Sequence, residues 1–281
     1  MSENRGEPSK LDCPVDATLA DLDETINDNI GIAELRDEIL FKQPESSHYG
    51  DCPICCLPLP IDPKKSTLYT CCSKHICDGC NLANQKREHE GKLHFKCPFC
   101  RKAVPKTDEG FIELLMKRIE ANDPVAMSHI GTKSYEEGDY KTSFEYCTKA
   151  AALGDVVAHC QLSCLYHNGQ GVEKDEKKKL HHAEQAAIAG HPHARHNLGC
   201  FEGRRDRMDR AVKHWIIAAN LGCDESLENV KNLYKAGQVS KDDFAAALRG
   251  HQAAVDATKS PQREEAAAFM KWLAERERMK T

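Results

Sequence analysis

The stretch that constrains this chain most runs from Asp51 to Arg101 and holds nine of its 15 cysteines. Three C-x-x-C pairs lie in it: Cys52/Cys55, Cys77/Cys80 and Cys97/Cys100. Two adjacent cysteines, Cys71 and Cys72, stand just before the second pair. A C-x-x-C turn brings two thiolates onto one knuckle, the bite that a tetrahedral zinc with Zn–S of about 2.3 Å requires. Four such pairs make eight ligands, enough for two structural zinc ions and no open position. That points to a zinc-built binding module, not a zinc enzyme. A disulfide scaffold fits less well, because Met1-Ser2-Glu3-Asn4-Arg5 lacks the apolar core of a secretory signal and a reducing compartment is expected. Structural zinc contributes about 10–16 kcal/mol in small peptides, so metal would supply most of the folding energy of so small a region.

The ligand order resembles the RING-finger family. That resemblance implies a cross-brace: Cys52, Cys55, Cys77 and Cys80 would hold one zinc, and the second and fourth pairs the other. One pair departs from the family pattern C-G-H-x-x-C-x-x-C, since alignment on Cys72 and Cys77 puts Lys74 at the histidine position. Either Cys71 and Cys72 form the pair, as in all-cysteine C4C4 variants, or Cys72 and His75 do. The first reading is preferred, giving the second zinc Cys71, Cys72, Cys97 and Cys100, with His75 as the alternate ligand. The resemblance also implies an E3 ubiquitin ligase, which binds a ubiquitin-charged E2 and orients its thioester without covalent chemistry of its own. Ile54 matches the apolar residue that packs on the E2, Pro98 the proline beside the same groove, and Arg101 the cation that bridges E2 and ubiquitin. A guanidinium suits the last role because its planar fork of donors meets two carbonyls at once. The alternative is a non-catalytic adaptor with a zinc-stabilised protein-binding finger.

The rest of the chain frames this segment. Residues 1–50 carry twelve acids against four bases, and residues 51–105 nine bases against five acids. The basic finger has no aromatic-interleaved stripe, so nucleic acid is not the expected partner. No apolar run approaches the 18 residues of a membrane span. Cytosol and nucleus are both open as locations. Residues 1–45 read as an acidic, mostly disordered tail with a lone Cys13 and one short helix, in which Ile32, Leu35 and Ile39 share a face and Pro44 ends the run. The finger spans 50–104. Leu57-Pro58-Leu59-Pro60 suits an extended arm, residues 81–90 a helix, and Cys56 is a leftover thiol.

A second regularity occupies 107–259. Thr107-Asp108-Glu109 can cap a helix carrying Phe111, Leu114, Leu115 and Ile119. Beyond it Ala126-x3-Ile130-Gly131, Ala158-x3-Leu162-Ser163, Ala194-x3-Leu198-Gly199 and Ser226-x3-Val230 recur at steps of 32, 36 and 32 residues. Ala150-Ala151-x-Leu153-Gly154, Ala186-Ala187-x-Ala189-Gly190 and Ala218-Ala219-x-Leu221-Gly222 recur with them. A period of this length with small residues at fixed places predicts stacked helix pairs. The pattern resembles the Sel1-like branch of the tetratricopeptide class, the second repeat best, with its Tyr166 and Asn168-Gly169-Gln170-Gly171-Val172 loop. Gly169-x-Gly171 is expected to be a repeat turn and not a phosphate loop, since no strand precedes it. His181, His182, His191, His193 and His196 read as surface or packing residues. Cys147, Cys160, Cys164, Cys200 and Cys223 read as small core residues, with no histidine partner evident. Residues 260–281 predict a final helix over the open end of the array.

The fold expected is therefore multidomain and mainly α: a small cross-brace finger, then an α-helical solenoid that recruits a protein substrate or scaffold. The combination resembles algal RING/Sel1-repeat proteins, down to Leu40-Phe41-Lys42-Gln43-Pro44 leading into Asp51-Cys52-Pro53-Ile54-Cys55.

Overall fold

The computed structural model describes residues 30–91 and 94–279. The expected disordered tail over 1–29, and Cys13 in it, lie outside the described residues. The chain divides into two compact units between Leu40 and Phe41, and each is described by itself. The first contains helix α1, Ile30–Leu40.

The second unit opens with the finger. Its secondary structure is slight: a two-stranded antiparallel sheet of β1 (Ser66–Tyr69) and β2 (Lys74–Cys77), then helix α2 (Asp78–Glu90). Thr67 pairs with Ile76 and Tyr69 with Lys74 across the sheet. Ile76 is fully buried, and Leu59 and Tyr69 close around it with five cysteines. The proline-rich arm holds no helix and brings Leu59 into this core.

The helical array follows: α3 (Asp108–Glu120), α4 (Pro124–Glu136), α5 (Tyr140–Ala152), α6 (Val156–Asn168), α7 (Glu176–Ile188), α8 (Pro192–Arg204), α9 (Met208–Asn220), α10 (Asp224–Lys235) and α11 (Lys241–Ala257). The repeated small residues are the buried ones. Ala126, Ala158, Ala194 and Ser226 are at most 2 % exposed, as are Ala150, Ala186 and Ala218 on the second helix of each pair. These let backbones meet. A Cβ on Gly131 would lie 2.5 Å from the Cys147 sulfur, and one on Gly199 2.6 Å from Trp215.

The turn into each pair passes through one left-handed residue: Asn122, Gly154, Gly190 and Gly222. The next residue caps the following helix. Asp123, Asp155 and His191 accept from N–H groups of the first turn, whereas Cys223 makes no cap bond. The Gly169–Val172 loop is a helix C-terminus, with Gly169 and Gly171 left-handed. Gln170 accepts a 3.2 Å bond from the Tyr135 hydroxyl and so ties the second repeat to the first.

The segment between α1 and the finger lies on the repeats. The Phe41 ring sits 4.7 Å from that of His214, with Arg210 and Lys213 cations over it at 4.8 and 5.3 Å. The His48 amide donates to the Gly190 carbonyl at 3.1 Å, and its ring stacks on His191 at 4.3 Å. The last helix, α12 (Pro261–Arg278), has its main packing partner in α2 of the finger. The sequence places it as a lid on the array; the structure sends it back to the finger, because Gly79 leaves room there for the α12 backbone.

Candidate metal centres and their surroundings

Two knuckles of the finger are built alike, 45 positions apart. The Cys52 amide donates to Leu57 O and that of Cys97 to Lys102 O, both at 2.9 Å. The Cys56 amide returns to Cys52 O at 2.8 Å, and that of Arg101 to Cys97 O at 3.1 Å. Cys56 and Arg101 are both left-handed, with φ of 55° and 61°. Cys56, a leftover thiol in the sequence, is thus the residue that closes the first knuckle. The adjacent pair Cys71-Cys72 lies in the β1–β2 turn, where Ser73 is also left-handed.

These turns bring the sulfurs into two groups. Cys52, Cys55, Cys77 and Cys80 have their ligand atoms within 4.8 Å of one another, and so do Cys71, Cys72, Cys97 and Cys100. Each group can hold a metal ion. A tetrahedral site with metal–sulfur bonds of about 2.3 Å has sulfur–sulfur edges of about 3.8 Å. Cys55–Cys77 at 3.8 Å and Cys72–Cys97 at 3.6 Å lie near that edge, and Cys71–Cys100 at 3.2 Å is tighter. The donor chemistry also asks for a cation. Burial, helped by neighbouring thiols, pushes Cys71 and Cys80 up and Cys72 up to about 11. For Cys55 burial also pushes up, but bonds from the Leu57 backbone, Arg263 and two cysteines outweigh it and bring it to about 7. Thiols so crowded cannot all ionise unless a metal shares the charge.

His75 belongs to neither group. It projects from β2 toward Tyr49, the rings 5.8 Å apart, and burial lowers its pKa. Ile54 and Phe99 hold equivalent places in the two knuckles but face differently. Phe99 packs on the finger core under the Lys74 ammonium, 5.8 Å from its ring, while Ile54 is 44 % exposed. Pro98 is half-buried and Arg101 exposed.

Several supporting residues escape the sequence reading. Glu88 of α2 is buried and accepts from the Lys96 amide at 2.7 Å, fixing the segment that leads into Cys97. Arg263 reaches the first knuckle from α12. No local spacing announces either. Cys200, taken to lack a histidine, has His196 one turn back, Nε2 3.4 Å from its sulfur. That pair was legible as an i, i+4 spacing. His193, Cys223 and Glu225 form a third group at the α8–α10 junction, with His193 and Glu225 exposed. His191 is a buried cap, accepting from the Ala194 amide at 3.3 Å.

Among known proteins, the Sel1 repeat family matches residues 124–155, 156–191 and 192–223. These are the first three helix pairs, and Sel1 repeats support binding of a protein partner. No RING family profile matches the cysteine-rich segment. Solved structures that are similar include the following two. One is a Sel1 repeat protein from Oxalobacter formigenes, 22% identical over 64% of this chain and 72% of that one, with a TM-score of 0.47. The other is c5321, a protective antigen of uropathogenic Escherichia coli with an SLR fold, 25% identical over 60% of this chain and 37% of that one, TM-score 0.43. A search of curated proteins returns no match. Among the described residues no helix is long and apolar enough to cross a membrane.

Proposed function

We propose that the chain is a RING-type E3 ubiquitin ligase whose finger holds two structural zinc ions and whose Sel1 repeats bind a protein substrate or scaffold. Cys52, Cys55, Cys77 and Cys80 would hold the first ion, and Cys71, Cys72, Cys97 and Cys100 the second. Zinc closed by four thiolates has no position left for substrate and acts by fixing the backbone. The chain's own contribution is orientation: the finger would hold a ubiquitin-charged E2 so that a substrate lysine meets the thioester.

The observation that carries this reading is Ile54. It is apolar and 44 % exposed, although its counterpart Phe99 is packed on the core, so the fold leaves a large part of the Ile54 side chain facing solvent. Arg101 adds to it. A left-handed backbone costs an arginine about 1 kcal/mol that glycine would not incur, and the exposed guanidinium is free to serve a partner. Pro98 completes the set expected at an E2 groove.

The test is self-ubiquitination across an E2 panel with Ile54→Ala and Arg101→Ala variants checked for full zinc content. Activity in the parent, reduced at least about tenfold in variants that keep their zinc, supports the ligase. A folded, zinc-loaded parent that is inactive with every E2 favours the adaptor, a reading that the repeats support by themselves.

A further inference from the structure

The guanidinium of Arg263 reaches across the chain to the first knuckle, more than 200 residues earlier. Its Nη2 donates to Leu57 O at 3.1 Å and to the Cys55 sulfur at 3.4 Å. Its Nη1 donates to Pro58 O at 2.7 Å and to Thr258 O, just before its own helix, at 2.8 Å. One planar fork thus joins a sulfur and two carbonyls of the knuckle to the start of α12, which an ammonium could not do from one position.

The surrounding packing is built for this reach. Gly79 stands between Cys77 and Cys80, and a Cβ there would lie 2.8 Å from the Arg263 backbone nitrogen. The Ser260 hydroxyl caps α12 by accepting from the Arg263 amide at 3.3 Å, fixing the residue at the helix start. Two turns further along α2, Lys86 forms an ion pair with Glu265. The charge is also suited. A divalent ion with four thiolates carries a net charge of −2, and a cation bonded to one sulfur offsets part of it where burial makes charge costly.

We propose that Arg263 is a positioning residue of the first metal centre. It clamps residues 55–58 from outside, screens the Cys55 thiolate and slows loss of the ion from that centre and not from the second. The C-terminal helix is then a structural part of the finger. This inference rests on the two-zinc reading.

The experiment uses the full chain and its Arg263→Gln, Arg263→Lys and Arg263→Ala variants. Bound zinc is counted by elemental analysis, and its release is followed with a chromogenic chelator. A Cys100→Ser background, with only the first cluster complete, assigns the phases. Removal of an outer partner of a metal ligand typically lowers affinity about 10–100-fold. One of two release phases should therefore quicken about 10–100-fold in Arg263→Gln, with Arg263→Lys between it and the parent. The Cys100→Ser chain should show the same quickening. Equal release rates in parent and Arg263→Gln would overturn the inference, as would equal acceleration of both phases. A parent that binds no zinc would overturn the two-zinc reading itself and the role of Arg263 with it. Should Arg263→Ala fail to fold, the Gln and Lys variants, which keep more of the arginine stem, decide the matter.

Discussion

The finger and the repeats build a core from opposite materials. In the finger, five of the eight buried core residues are cysteines, and the elements around them are two four-residue strands, one α-helix and a three-residue 3-10 turn. In the array the core is alanine at fixed intervals with larger apolar and aromatic side chains between, and most helices meet chiefly their neighbours in sequence. A sulfur core gains little from burial alone and depends on whatever binds the thiols. A stacked array gains from every interface and spreads its stability over many of them. The finger should therefore behave as all-or-none toward metal, and the array as graded and indifferent to it.

The largest expected effect separates the two. A strong zinc chelator should unfold the finger, removing a stabilisation on the order of 10 kcal/mol, and leave most of the helical circular dichroism in place. Limited proteolysis would then cut within 50–104 before the repeats. Loss of helix in step with zinc would show instead that the two regions form one cooperative unit.

A smaller effect probes the array alone. Gly131→Ala sets a methyl 2.5 Å from the buried Cys147 sulfur and should cost about 1–3 kcal/mol. Thermal melting should fall by several degrees with zinc content unchanged. Adding Cys147→Ala, which gives the methyl its space, should recover much of the loss. No loss in the single variant would mean that the α4–α5 contact can slide.

The smallest effect concerns acid. Burial, with Arg195 and Arg210 adding to it, lowers His214 to about 3, against about 6.5 in an unfolded chain. The folded state thus favours the neutral ring. Its stabilisation is complete above pH 6.5 and is lost as pH falls toward 3, because the unfolded chain takes a proton that the folded one refuses. His214→Phe should flatten the pH dependence of array melting by at most about 1.4 kcal/mol in the unit below pH 6.5. Melting after chelation, read from helical signal, keeps the finger out of the comparison. An unchanged slope would place the acid sensitivity elsewhere, with His48 and His182, lowered to about 4 and about 3 by burial, as the next residues to replace.

Much of the array was legible because its signals are local. Ala126, Ala158, Ala194 and Ser226 mark the helices by their spacing, and Gly154, Gly190 and Gly222 mark the turns. In the candidate centres the C-x-x-C pairs were legible for the same reason. Their interleaving into two groups came from a resemblance and not from spacing. The roles of Glu88, Cys56 and Arg263 carried no signal at all, since a buried carboxylate, a left-handed cysteine and a distant arginine each depend on what the fold brings beside them.

What the sequence determined by itself, then, is whatever repeats or closes within a few residues: knuckles, helix pairs, caps and turns, which backbone sterics and hydrophobic period dictate locally. The tertiary structure alone decided where the ends of the second unit go. Phe41 lies between Arg210, Lys213 and His214, and Arg263 returns to Cys55, Leu57 and Pro58. Contacts across 169 to 208 positions leave no period in a sequence, because the groups that make them meet only after every element between them has taken its place.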